Sequence, residues 1–180
     1  VTFTDGAEAA AQMTMGSLWS VSTTRAHAGT KSYFGSGAPF NACAALTTPL
    51  LVLGPGGSPS VLSFFSWRDN LENSFDGGVV EISTDGGGSW TKLSLTPTYP
   101  GTFVSDSSSC AHTSQPPANA GFTGNDNSWQ GAYTANLGAY AGQPAYIRFN
   151  LGTDPGLSST GWYIDDIQIT NAQRPSSCTF

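Results

Sequence analysis

Runs in which every second residue is apolar, each closed by glycine or proline, recur along this chain and commit it to strands. From Pro144 to Leu151, the residues Ile147, Phe149 and Leu151 fall two apart, so they share one face of an extended backbone. Leu93 and Leu95 do the same within Thr91–Leu95. Val61–Trp67, Gly78–Ser83 and Gly161–Ile169 are rich in the β-branched and aromatic residues that strands favour. Between two of these runs lies Thr84-Asp85-Gly86-Gly87-Gly88-Ser89, whose glycines accept the positive φ of a tight reversal, which predicts a hairpin. Helices have no comparable support. Gly, Ser and Thr number 22, 23 and 20, together 65 of 180 residues, and all three are poor helix formers. The one alanine-rich stretch, Ala7–Gln12, is too short to hold a helix alone. The pattern predicts an all-β fold, an antiparallel sandwich or barrel. It forms one domain over residues 1–170, with a polar C-terminal tail over 171–180.

Six basic residues face twelve acidic ones, for a net charge of −6. The basic residues are scattered singly, whereas nucleic acid requires clustered cations to displace counterions. No nucleic-acid partner is expected. No apolar run approaches the ~20 residues of a membrane helix, so no membrane insertion is expected either. A chain that starts at Val1, without an initiator Met or a signal-peptide pattern, reads as an excised or mature segment. Scarce Lys and abundant Ser, Thr and Gly suggest a secreted protein, in which disulfides persist. Of three cysteines we pair Cys43 with Cys110, leaving Cys178 free or bonded elsewhere; three free thiols is the alternative. Such a bridge staples the unusually long connection from Pro100 to Asn127 to the sandwich.

Several segments then resemble a known family. Ser83-Thr84-Asp85-Gly86-Gly87-Gly88-Ser89-Trp90 is similar to the Asp-box pattern S-x-D-x-G-x-[TS]-W, in a single copy. Phe122-Thr123-Gly124 followed by Trp129, then Asn136-Leu137-Gly138-Ala139-Tyr140-Ala141-Gly142-Gln143, then Ile147-Arg148-Phe149 and Gly161-Trp162-Tyr163-Ile164-Asp165-Asp166-Ile167, follow in the order found in jelly-roll domains of bacterial secreted proteases. Those of the immune inhibitor A metalloprotease type resemble this chain, and MAM domains and reelin subrepeats resemble it more distantly. The resemblance is good over Asp76–Ile169 and weak over Thr4–Leu53. It implies a jelly-roll β-sandwich, galactose-binding-like or MAM-like. It also implies an accessory module without catalytic residues, covalently linked to a catalytic domain in the full-length protein.

Asp85 is expected to accept turn amides beneath Trp90, a structural role. Asp165 and Asp166 are adjacent on a strand, so their side chains are expected on opposite faces. Alternation puts Asp165 with Ile167 and Ile169 on the core side, where a lone carboxylate is prohibitive. Calcium, a hard ion that takes oxygen ligands, is one answer. Jelly rolls resembling this one hold a structural calcium between first and last strands, and Asp5 or Glu8 are the matching ligands here. The alternative is Asp165 accepting loop amides, with Asp5 and Glu8 solvated. Asp69, Glu72 and Asp76 form a second acidic group that rims a binding face, holds a second ion, or is simply solvated. Among five tryptophans, Trp129 after the long loop is the candidate platform for a sugar ring, with Tyr99 a weaker one; core packing is the default for the rest.

No pattern supports catalysis. His27 and His112 have no second ligand at zinc spacing, and the G-x-S-x-G elbow is absent. The expected function is a non-catalytic module binding glycan or protein surfaces. A domain that orients a catalytic neighbour is the alternative, and a small hydrolase the third reading.

Overall fold

A computed structural model describes residues 1–9, 11–104, 110 and 119–176. Its strands, in chain order, begin with β1 (Thr2–Asp5), β2 (Thr14–Met15), β3 (Trp19–Ser22), β4 (Ser32–Ser36) and β5 (Cys43–Thr47). There follow β6 (Leu51–Leu53), β7 (Val61–Asp69), β8 (Gly77–Ser83), β9 (Thr91–Lys92) and β10 (Gly101–Thr102). The last five are β11 (Ala120–Gly121), β12 (Gln130–Asn136), β13 (Pro144–Gly152), β14 (Gly161–Thr170) and β15 (Ala172–Gln173). A 3-10 turn at Gly138–Tyr140 follows β12, and among the described residues no helix is long and apolar enough to cross a membrane.

These strands build an antiparallel jelly-roll sandwich. The first sheet runs β12-β7-β14-β4-β3, with β1 on the C-terminal half of β14. The second runs β15-β6-β13-β5-β2, with β8 also on β13 and β9 on β8. A small ribbon, β10-β11, lies within the expected long connection; residues 105–109 and 111–118 of that connection, and Cys178, lie outside the described residues. Strand pairing passes the expected domain end at 170, since Ala172 is fully buried and β15 pairs with β6.

The period-two reading of β13 holds: Ile147, Phe149 and Leu151 are buried in the core between the sheets. Opposite them stand Phe64 from β7 and Trp162 from β14. Phe122 stacks on Trp162 with ring centroids 5.0 Å apart, and Phe64 meets Phe149 edge-on at 4.9 Å. Such aromatic pairs add ~1 kcal/mol each beyond their buried area. Trp162 sits so close to β8 that a Cβ added at Gly78 would collide with its ring, which explains glycine inside that strand. Cys43 and Cys110 form a disulfide, which ties the long connection to the start of β5.

Candidate functional site

The core face of β14 consists of Trp162, Ile164, Ile167 and Ile169. Two of the three gaps in this set are single residues, yet Ile164 and Ile167 are separated by two. A bulge lies there: the register slips between Asp165 and Gln168 against β7, and Asp166 adopts φ of 49°. A bulge re-aims side chains and breaks the alternation. Asp165 therefore does not share the core side with Ile167 and Ile169. It is in phase with Tyr163, on the outer face of the first sheet, and is buried there by the 23–30 segment.

That segment brings His27 onto both aspartates. The His27 amide donates to Asp165 Oδ2 at 2.7 Å, and the ring Nδ1 lies 2.6 Å from Asp166 Oδ2. The Asp166 amide donates to Asp165 Oδ1 at 2.7 Å. The bulge thus turns two neighbouring carboxylates toward one histidine, where regular alternation would separate them. His27 also stacks on Phe65 at 3.6 Å between ring centroids and meets Trp129 edge-on at 5.9 Å. Arg25 lies 4.2 Å over the ring of Trp67, which in turn meets Trp129 edge-on at 6.0 Å. Phe34 and Tyr163 continue the row. Trp67 and Trp129 are half-buried, whereas Trp19 and Trp162 are core residues. His27 and Arg25 carry no local motif that marks them in the sequence. Only the pairing of β14 with β7 brings their partners together.

The carboxylates proposed for calcium are well supplied with donors. Asp5 accepts the amides of Ala7 and Gln12 and the hydroxyl of Tyr33, at 2.9, 2.7 and 2.8 Å. Burial, and then the bond to Asp5, hold the Tyr33 phenol well above its usual range. Glu8 accepts the amides of Thr30 and Lys31, both at 2.6 Å, and these bonds lower its pKa. Burial pushes Asp165 up to about 6, against the lowering effect of the amides it accepts. Asp5, Glu8 and Asp165 do not converge as a tight trio of ligand atoms.

A different trio does. Glu72, Asp76 and Asp154 place one oxygen each within 4.8 Å of one another. Asp76 is fully buried; it accepts the Asp154 amide at 2.8 Å and the Ser159 hydroxyl. Glu72 accepts the Leu157 amide at 3.1 Å and Asp154 the Gly156 amide at 2.7 Å. Burial raises the Asp76 pKa, and the Asp154 and Glu72 charges add to the rise. By the chemistry of the donors, this set of three hard oxygens with few hydrogen-bond donors fits calcium better than the saturated Asp5–Glu8–Asp165 set. Asp69 stands apart from it, paired with Arg25 at 3.0 Å. Arg68 pairs with Asp126 at 2.5 Å and Arg148 with Glu81 at 2.6 Å, so three of the four arginines are held by acids, while Arg174 donates to the Gln12 side chain.

At the glycine hairpin Asp85 Oδ1 accepts the Ser89 amide at 2.9 Å and the Ser83 hydroxyl at 2.7 Å, and Oδ2 accepts the Ser89 hydroxyl at 2.6 Å. The Ser89 bonds lead in holding its pKa well below the usual range. Trp90 lies 4.0 Å beneath the Arg148 guanidinium. Tyr99 is no exposed platform: its ring is buried and its hydroxyl donates to Leu93 O at 2.9 Å.

Comparison with known proteins is consistent with this architecture. No family model matches the chain. Bacillopeptidase F of Bacillus subtilis (strain 168) is 27% identical over 117 residues, which is 65% of this chain and 6% of that protein. The K3 cleaved adhesin domain of Lys-gingipain from Porphyromonas gingivalis superposes with a TM-score of 0.51 at 16% identity, over 93% of this chain and 97% of that one. The K2 domain gives 0.51 at 15% identity, over 94% and 98%. The CBM22-1 xylan-binding domain of Paenibacillus barcinonensis Xyn10C gives 0.50 at 12% identity, over 93% and 91%. At these identities the likeness is one of fold. Together they define the fold class, a jelly-roll β-sandwich; the match to the protease spans a small part of that relative's length.

Proposed function

We propose that this chain is a non-catalytic binding module of a secreted, extracellular protein, that it binds carbohydrate, and that calcium stabilises it. The observation that carries the reading is the aromatic outer face of the first sheet. There Phe65, Trp67 and Trp129 are half-buried at a surface and braced by His27 and Arg25. Rings held edge-on and stacked cost little further entropy when a ligand packs on them. One fold neighbour is a xylan-binding domain and others are adhesin domains, which supports binding over catalysis, and the partial match to Bacillopeptidase F supports linkage to a catalytic domain. The test is retention on insoluble polysaccharides. The chain is expected to be retained, and Trp129→Ala to reduce retention about tenfold. No retention on plant or microbial polysaccharides would overturn the carbohydrate reading.

A second reading, a domain that orients its catalytic neighbour through protein contact, is favoured by one specific feature. Phe40 and Leu157 are exposed on two loops joined by the Ser158 hydroxyl bond to Ala38 O at one end of the sandwich. Exposed apolar groups in one place mark interaction surfaces. Paired Phe40→Ser and Leu157→Ser substitutions would weaken docking to such a neighbour while leaving polysaccharide retention unchanged.

A further inference from the structure

β7 is flanked by an irregularity on each side at the same level. On β14 the register slips between Asp165 and Gln168, opposite Phe65 and Ser63. On β12 it slips between Gln130 and Tyr133, opposite Ser66 and Phe64. Bulges bend the strands that carry them. Between the two, on the outer face of the sheet, lies a groove of about 400 Å³. Thr4, Ser63, Phe65, Ala132, Asp166 and Gln168 are among its lining residues. Its volume falls in the ~300–1,000 Å³ range of small-ligand sites.

The lining has one chemical character. Phe65 supplies an aromatic wall, backed on its other side by the stacked His27 ring, which Asp166 holds at 2.6 Å. The hydroxyls of Thr4 and Ser63 and the amide of Gln168 make no hydrogen bond among the described residues, so their capacity is uncommitted. Asp166 presents a carboxylate at the rim, and no lysine or arginine lines the groove. Anionic ligands are disfavoured there, because they would meet a carboxylate without a compensating cation. A neutral sugar ring suits the groove: its hydroxyls donate to Asp166 and exchange bonds with Gln168, Ser63 and Thr4, and its C–H face packs on Phe65. We propose that this groove binds a neutral mono- or disaccharide unit of a polysaccharide. The proposal rests on the carbohydrate reading above and locates its site.

The test is isothermal titration of the intact chain with xylohexaose, cellohexaose, mannohexaose and the acidic hexagalacturonate. At least one neutral probe is expected to bind and the acidic one not. Gln168→Ala, an exposed position that leaves the fold intact, is expected to weaken that binding about fivefold. Phe65→Ala, checked for folding by its melting curve, is expected to weaken it about tenfold or more. Trp90→Ala, on the distant hairpin, serves as the control and leaves it unchanged. If a neutral probe binds and neither Gln168→Ala nor Phe65→Ala weakens it, the groove is overturned while the carbohydrate reading stands. Stronger binding of hexagalacturonate than of the neutral probes overturns the ligand class. If no hexasaccharide binds and the chain is also not retained on polysaccharide, both fall; retention without hexasaccharide binding overturns the groove alone.

Discussion

Two carboxylates in this molecule, Asp165 and Asp76, have no accessible surface, yet they are solvated by the protein in different ways. Asp165 is wrapped by backbone: the amides of His27 and Asp166 at 2.7 Å, and that of Ala28 at 3.4 Å. Asp76 has one amide and one hydroxyl, and two further carboxylates crowd it. A buried charge needs either donors or a counterion. At Asp165 the chain provides donors from a segment 138 residues away; at Asp76 it provides more negative charge. The difference teaches that burial of a carboxylate does not by itself call for a metal. The number of donors that the fold delivers decides it.

The comparison can be broken most forcefully at Asp165. Asp165→Ala strands the His27 and Asp166 amides, and we expect a loss of roughly 3 kcal/mol in urea unfolding. A loss below that of an ordinary surface substitution would mean that the 23–30 segment is not pinned there.

The next largest effect is expected from calcium. A ligand that binds only the folded state raises its stability. Millimolar calcium should raise the melting midpoint of the wild type by several degrees, on the order of 1–2 kcal/mol. Asp76→Asn should abolish that rise, and Asp165→Asn should keep it. The reverse pattern would return the ion to the first and last strands.

A pH titration sharpens the contrast further. Burial raises the folded-state pKa of Asp165 from an ordinary 3.8 to about 6, so between these values the native state binds more protons than the unfolded one. Its contribution to stability is full below the unfolded pKa and is lost as pH rises through about 6. Melting midpoints should therefore show a component that falls from pH 4 to pH 6, and Asp165→Asn should remove it. Asp85 acts with the opposite sign: its pKa is depressed, so its contribution is present above the ordinary carboxylate range and is lost in acid below it.

The smallest effect is expected at His27. His27→Ala removes the ring stacked on Phe65 but keeps the backbone amide on Asp165, for a cost of about 1 kcal/mol. A cost equal to that of Asp165→Ala would show that the ring, and not the amide, holds the segment.

The strands were legible because burial follows the period of the backbone. Ile147, Phe149 and Leu151 announce their face without any knowledge of partners; Leu93 and Leu95 are buried as their spacing suggests, although β9 ends at Lys92. The pairing of Cys43 with Cys110 was legible as well. The phase of β14 beyond Asp165 was not, because one residue with positive φ shifts every later side chain to the other face. His27 was illegible for a related reason, since its partners lie 138 and 139 residues away and are turned toward it by that same bulge. Asp76 was visible as part of an acidic group, but with Asp69 as its companion. The fold instead gives Asp69 to Arg25 and brings in Asp154, 78 residues on.

The pairing of β1 with β14 has a kinetic consequence. Thr2 lies opposite Thr170, and the Ala172 amide reaches the carbonyl of Val1 at 3.1 Å. Nearly the whole chain is the loop that this contact closes. Topologies dominated by such distant pairings fold in milliseconds to seconds rather than microseconds. During synthesis, β1 would leave the ribosome long before the strand it pairs with. It would wait as an unpaired edge, and its four residues Thr2, Phe3, Thr4 and Asp5, with a single large apolar side chain among them, make a short and weakly adhesive one.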